Sequence, residues 1–92
     1  MIIYPQYSTK SAIVLRRVVS GNRTFYDPKP LLEAIRYLQA HAPEDVVLVL
    51  VDEAKQDTAR MGHTKLSPKA ELDAFAAVLA RHGIFTVQED AA

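Results

Sequence analysis

Apolar positions along this 92-residue chain fall into a few patterned stretches separated by turn residues. Ala12–Val19 is rich in β-branched side chains and reads as a strand. Ser20-Gly21-Asn22 follows; glycine and asparagine tolerate the positive φ of a tight hairpin turn, so Arg23–Tyr26 reads as the short return strand. Next, Leu31, Ile35, Leu38 and Ala42 recur at helical spacing, with Glu33, Arg36 and Gln39 on the other side. Asp27-Pro28 supplies the start of that helix, because the carboxylate can accept an unpaired N–H and proline loses nothing at the first helical position. Pro43 ends the helix near His41.

Val46-Val47-Leu48-Val49-Leu50-Val51 shows no polar alternation. Such a run reads as a central strand apolar on both faces, covered on both sides or buried in an interface. Asp52–Leu66 is polar and without clear period, with room for a turn of helix around Glu53–Arg60 or a short strand at His63–Leu66. Ser67-Pro68 repeats the start signal; Leu72, Phe75, Ala76 and Leu79 form a second helical stripe, and Gly83 is its expected left-handed stop. Ile84–Val87 reads as a last strand and Gln88–Ala92 as a tail, while Met1–Tyr4, halted by Pro5, reads as an edge strand or a fraying end. The expected core is Phe75, Leu79, Ile35, Leu38, Leu48 and Leu50.

These elements predict one α+β domain over residues 1–92: a mixed sheet of four or five strands with two helices, in the order ββα-β-(β)-αβ. With a strand at His63–Leu66 the core pattern is the ferredoxin-like split; without it, the order is similar to that of TolR-type domains. Both are likenesses of topology alone.

Composition changes this picture little. Apolar residues make up 49% and charged ones 24%, an ordinary globular balance. Eleven basic residues offset eleven acidic ones, so no overall field draws the chain to nucleic acid or anionic membrane. Absence of cysteine removes disulfide and thiolate chemistry and fits a cytoplasmic setting. The first residues lack a signal-peptide pattern, and no apolar run approaches the roughly 20 residues of a membrane span.

Candidate chemistry is sparse. Asp52 closes the apolar run, where α/β enzymes often place a metal- or phosphate-binding acid, with Glu53 and Asp57 near it in sequence, but no glycine-rich phosphate loop adjoins it. His63 sits between Gly62 and Thr64 in the segment without a period, where a ligand or acid–base role can be placed, and Arg60 precedes it. His41 and His82 fall at helix C-termini, where capping accounts for them, and the histidines share no metal-ligand spacing. Arg16, Arg17 and Arg23 on the hairpin, with Phe25, Tyr26 and nearby Tyr4 and Tyr7, make a basic–aromatic mix that sheet-surface nucleic-acid readers use; Arg16 and Arg17, being adjacent, point to opposite faces. Ser20 and Ser67 lack a nucleophile motif. No metal or cofactor is expected. The reading is a small non-enzymatic interaction or regulatory domain acting through protein contacts, as a homodimer completing the two-faced strand or with a protein partner. A nucleic-acid-binding hairpin and a small enzyme using Asp52 and His63 are the alternatives, and Asp52–Leu66 is the expected seat of binding.

Overall fold

A computed structural model describes residues 4–60, 62 and 67–91. Its elements run α1 (Ser8–Ser11), β1 (Val14–Ser20), β2 (Arg23–Tyr26), α2 (Pro28–His41), α3 (Glu44–Arg60), α4 (Pro68–Arg81) and β3 (Thr86–Ala91). The sheet is mixed, in the order β2-β1-β3, with β1 antiparallel to β2 and parallel to β3. The chain is therefore α+β, with three strands among the described residues rather than four or five.

The hairpin forms as its turn residues dictate. Ser20 pairs with Arg23 across a two-residue loop, and Gly21 alone of the two takes positive φ (62°), as a type II′ turn requires. Ala12 is left-handed (φ 58°), so β1 starts at Val14, two residues later than the apolar pattern suggests.

Both predicted helix starts are present. Asp27 Oδ1 accepts from the Lys29 N–H at 3.1 Å, Ser67 Oγ accepts from the Ala70 N–H at 3.2 Å, and a proline opens each helix. Helix α4 closes with Ile84 N–H bonded to Leu79 O and Gly83 N–H to Ala80 O, both at 3.1 Å, around Gly83 at φ 67°. That pair of bonds satisfies the last carbonyls through a left-handed glycine.

The main departure lies at Val46–Val51, which is helical. It forms the first half of α3, and Asp52–Arg60 continues it. A short, wholly apolar run carries no period that separates strand from helix. The tie is broken by its flanks. Pro43 O accepts from the N–H groups of Val46 and Val47, Glu44 and Asp45 complement the helix N-terminus, and the residues after Val51 are mostly good helix formers. In helical phase Val47, Leu50, Val51 and Ala54 share one face and join the core, whereas Leu48 and Val49 turn outward at 60% and 40% exposure. Leu48 is thus no core residue. The loss of this strand removes both the ferredoxin-like and the TolR-like order, which become ββαααβ after α1. Asp52–Leu66 is no long loop either, since its first nine residues are helix; the strand considered at His63–Leu66, and the Met1–Ile3 part of the N-terminal strand, lie outside the described residues.

Packing follows from this order. Helix α2 lies over β1 and α4 over β2, while α3 packs mainly on α4 and also on α2. Leu15 of β1, Leu31, Ala34 and Leu38 of α2, Leu50 and Ala54 of α3, and Phe75, Ala76, Val78 and Leu79 of α4 form one core. Ile84 and Phe85 belong to it from the turn before β3, which begins later and ends later than the apolar pattern suggests. Ile35, an expected core residue, is only partly buried. Tyr7 closes one end, donating its N–H to Ile84 O at 2.8 Å and setting its ring edge-on to Tyr37.

Candidate functional site

Strand alternation divides the hairpin's basic residues. Leu15 and Arg17 point toward the helices, and Arg16 points to the opposite, uncovered face. Tyr26, Arg17 and Glu89 occupy one row across the three strands, and Arg17 Nη1 donates to Glu89 Oε1 at 2.8 Å. Arg17 and Tyr26 of this row line a cleft of about 890 Å³ whose walls are α3 and α4. Asp57 and Arg60 reach it from α3, Asp73 and Arg81 from α4.

Every carboxylate in the cleft already has a donor. Asp73 Oδ1 accepts from the Tyr26 backbone N–H at 3.0 Å. Asp57 accepts from Arg81 Nη2 at 2.6 Å and stands 3.8 Å from Arg60 Nη1. Arg81 also approaches Glu53 at 3.5 Å, and Glu53 Oε2 meets His82 Nε2 at 2.7 Å. The Asp57 hydrogen bond holds the Arg81 guanidinium more firmly protonated than usual. Burial raises the Tyr26 hydroxyl above its ordinary value; Arg17 opposes that shift, while Asp73 and Glu89 reinforce it. A cleft whose charges are matched internally is a polar seam between sheet and helices. Thr58 Oγ1, one of the hydroxyls lining it, donates to Lys55 O at 2.9 Å.

Of the residues singled out in the sequence, Arg17, Phe25, Tyr26, Asp57 and Arg60 therefore come together. The others do not. Arg16 sits on the open sheet face, its Nε donating to Asp90 Oδ2 at 2.7 Å with Asp27 at 3.6 Å. Arg23 is exposed at the hairpin turn. Asp52 lies on the outer surface of α3, accepting from Gln56 Nε2 at 2.9 Å, so it closes no strand. His63 falls outside the described residues. His82, at the α4 C-cap, does more than complement the helix end: it bridges to Glu53 and packs against Tyr4, ring centroids 4.6 Å apart. His41 ends α2 and packs on Tyr37 at 4.2 Å. Among the described residues no group of three or more His, Cys, Asp or Glu is placed to hold a metal, and no helix is long and apolar enough to cross a membrane.

Sequence reasoning missed Asp73 and Arg81, and it named Glu53 only as a carboxylate beside Asp52 and His82 only as a helix cap, not as partners in this seam. Glu53 and Asp57 stand one turn apart, as do Ala77 and Arg81, but that signal appears only once α3 is read as a helix facing α4. It also missed the outer face of α3, where Leu48 and Val49 lie side by side with Asp45 one turn before and Asp52 one turn after, all exposed. A second, apolar groove of about 580 Å³ runs between α2, α3 and α4, lined by Ile35, Val47, Val51, Leu72 and Phe75. Comparison with family models, curated proteins and solved structures found no match for the chain.

Proposed function

We propose that this chain is a non-enzymatic interaction domain that acts by protein–protein contact through the outer face of α3. One observation carries the reading: Leu48 and Val49 stay 60% and 40% exposed on an otherwise ordinary amphipathic helix, framed by Asp45 and Asp52. Covering what remains exposed is worth roughly 1–2 kcal/mol at Leu48 and roughly 0.6–1.2 kcal/mol at Val49, a free energy that folding leaves unused. The acidic frame selects the partner's chemistry. A basic amphipathic segment fits, its apolar side chains on Leu48 and Val49 and its cations against the carboxylates. Two copies of this face do not fit each other, because a symmetric contact sets acid against acid.

The internally paired charges of the cleft favour a structural part for it, and Arg16 and Arg17, each held by a carboxylate, have less to offer a phosphate backbone. The test is titration of a dye-labelled helical Lys/Leu peptide, followed by anisotropy. Saturable binding is expected, weakened at least tenfold in Leu48→Lys/Val49→Lys and reduced by salt. Equal binding by that variant, folded by circular dichroism, refutes the reading.

A further inference from the structure

We propose that the outer edge of β3 is a two-fold seam at which a second copy of this chain adds its own β3 in antiparallel register. The backbone directions fix which groups the edge presents. Asp27 N–H donates to Arg16 O at 2.8 Å, so the backbone groups of Arg16 face β2. Those of Leu15, Arg17 and Val19 then face β3, where Gln88 and Asp90 answer them in the parallel register. Val87 and Glu89 consequently direct their N–H and C=O groups away from the sheet, and no backbone hydrogen bond from another described segment reaches them.

The two edges of the sheet are unlike. At β2 the outward N–H of Tyr26 is taken by Asp73, and Lys69 covers the Phe25 ring at 4.7 Å. That edge is closed by α4. Among the described residues the helices pack on β1, β2 and one another, and none makes extensive contact with β3.

Charge on an edge strand ordinarily repels a second copy. Here the central strand offsets it: Arg17 holds Glu89, and Arg16 holds Asp90. Register does the rest. With the two-fold axis at Gln88, each Gln88 stands opposite its copy, Val87 opposite Glu89, and Thr86 opposite Asp90. No like charges lie directly opposite, whereas an axis at Glu89 would set Glu89 against Glu89. In the Gln88 register the outward groups of Val87 and Glu89 meet in hydrogen-bonded pairs, and the strands run β2-β1-β3-β3-β1-β2 without a break.

Sedimentation velocity from micromolar to millimolar protein tests this, with four variants checked for folding by circular dichroism. The wild type is expected to show reversible, concentration-dependent dimerisation. Glu89→Pro removes an outward N–H and no ladder bond within the protomer, so it is expected to stay folded and monomeric. Gln88→Glu and Gln88→Lys are each expected to dimerise at least tenfold more weakly, and their mixture to recover the dimer. A wild type that stays monomeric throughout overturns the seam, as does a dimer that survives Glu89→Pro or a mixture no stronger than its parts. The seam is independent of the α3 reading: a dimer abolished by Leu48→Lys but indifferent to Glu89→Pro places self-association on α3 and refutes this proposal.

Discussion

Leu48 and Leu50 make the sharpest test of the fold, because the two readings of Val46–Val51 order them differently. On a strand, residues two apart share a face and their truncations cost alike. On α3 they point apart: Leu50 is fully buried and Leu48 is 60% exposed. Leu50→Ala removes a side chain packed in the common core with Ala54, Phe75 and Leu79, and the lost transfer energy plus the cavity costs about 2–5 kcal/mol. Leu48→Ala removes a side chain already largely in water and gains slightly in helix propensity, so its cost stays within about 0.5 kcal/mol. Since about 1 kcal/mol moves the melting temperature of a domain this size by roughly 4–8 °C, Leu50→Ala should melt at least about 6 °C below Leu48→Ala. Urea unfolding followed by circular dichroism gives the free energies directly. Costs equal to within about 0.5 kcal/mol would refute the helical assignment and the docking face built on it.

The helix ends and the cleft supply two more expectations. Asp27→Ala and Ser67→Ala should each cost about 0.5–2 kcal/mol in the same assay; Gly83→Ala should cost about 1–2 kcal/mol from the left-handed backbone alone, since an added Cβ meets nothing within 4 Å. For Tyr26, burial raises the folded pKa, so below the ordinary value near 10 the hydroxyl is protonated in both states. Above that value the unfolded chain ionises first, so stability present at neutral pH falls as pH climbs toward the raised value; stability–pH curves for wild type and Tyr26→Phe should diverge only there, and parallel curves would count against a partly buried hydroxyl with a raised pKa.

What was legible in the sequence was local. Asp27-Pro28, Ser67-Pro68 and Gly83 each satisfy backbone groups within a few residues, so their chemistry announces itself without the rest of the fold. The hairpin is local in the same sense, and with it the placing of Arg16 and Arg17 on opposite faces. Val46–Val51 was illegible because a run apolar at every position fits a buried strand as well as a helix, and the contacts that decide are with α4 and α2, far along the chain. The same cause hid half the cleft. Arg17 and Tyr26 are neighbours by hairpin register, but Asp57 meets Arg81 only because α3 packs on α4.

The parallel pairing of β1 with β3 also governs how the molecule comes together in time. Arg17 and Glu89, partners in that ladder, are 72 positions apart, whereas the hairpin closes over two residues. Hairpins form in roughly 1–10 μs, while the β1–β3 ladder must first pay the entropy of closing nearly the whole chain. High sequence separation slows folding, so the rate-limiting step should be the arrival of β3 at β1, with helices α2 to α4 already collapsing together. On a ribosome, synthesis must pass Ala91 before β1 can acquire its second neighbour, and until then the central strand is itself an edge.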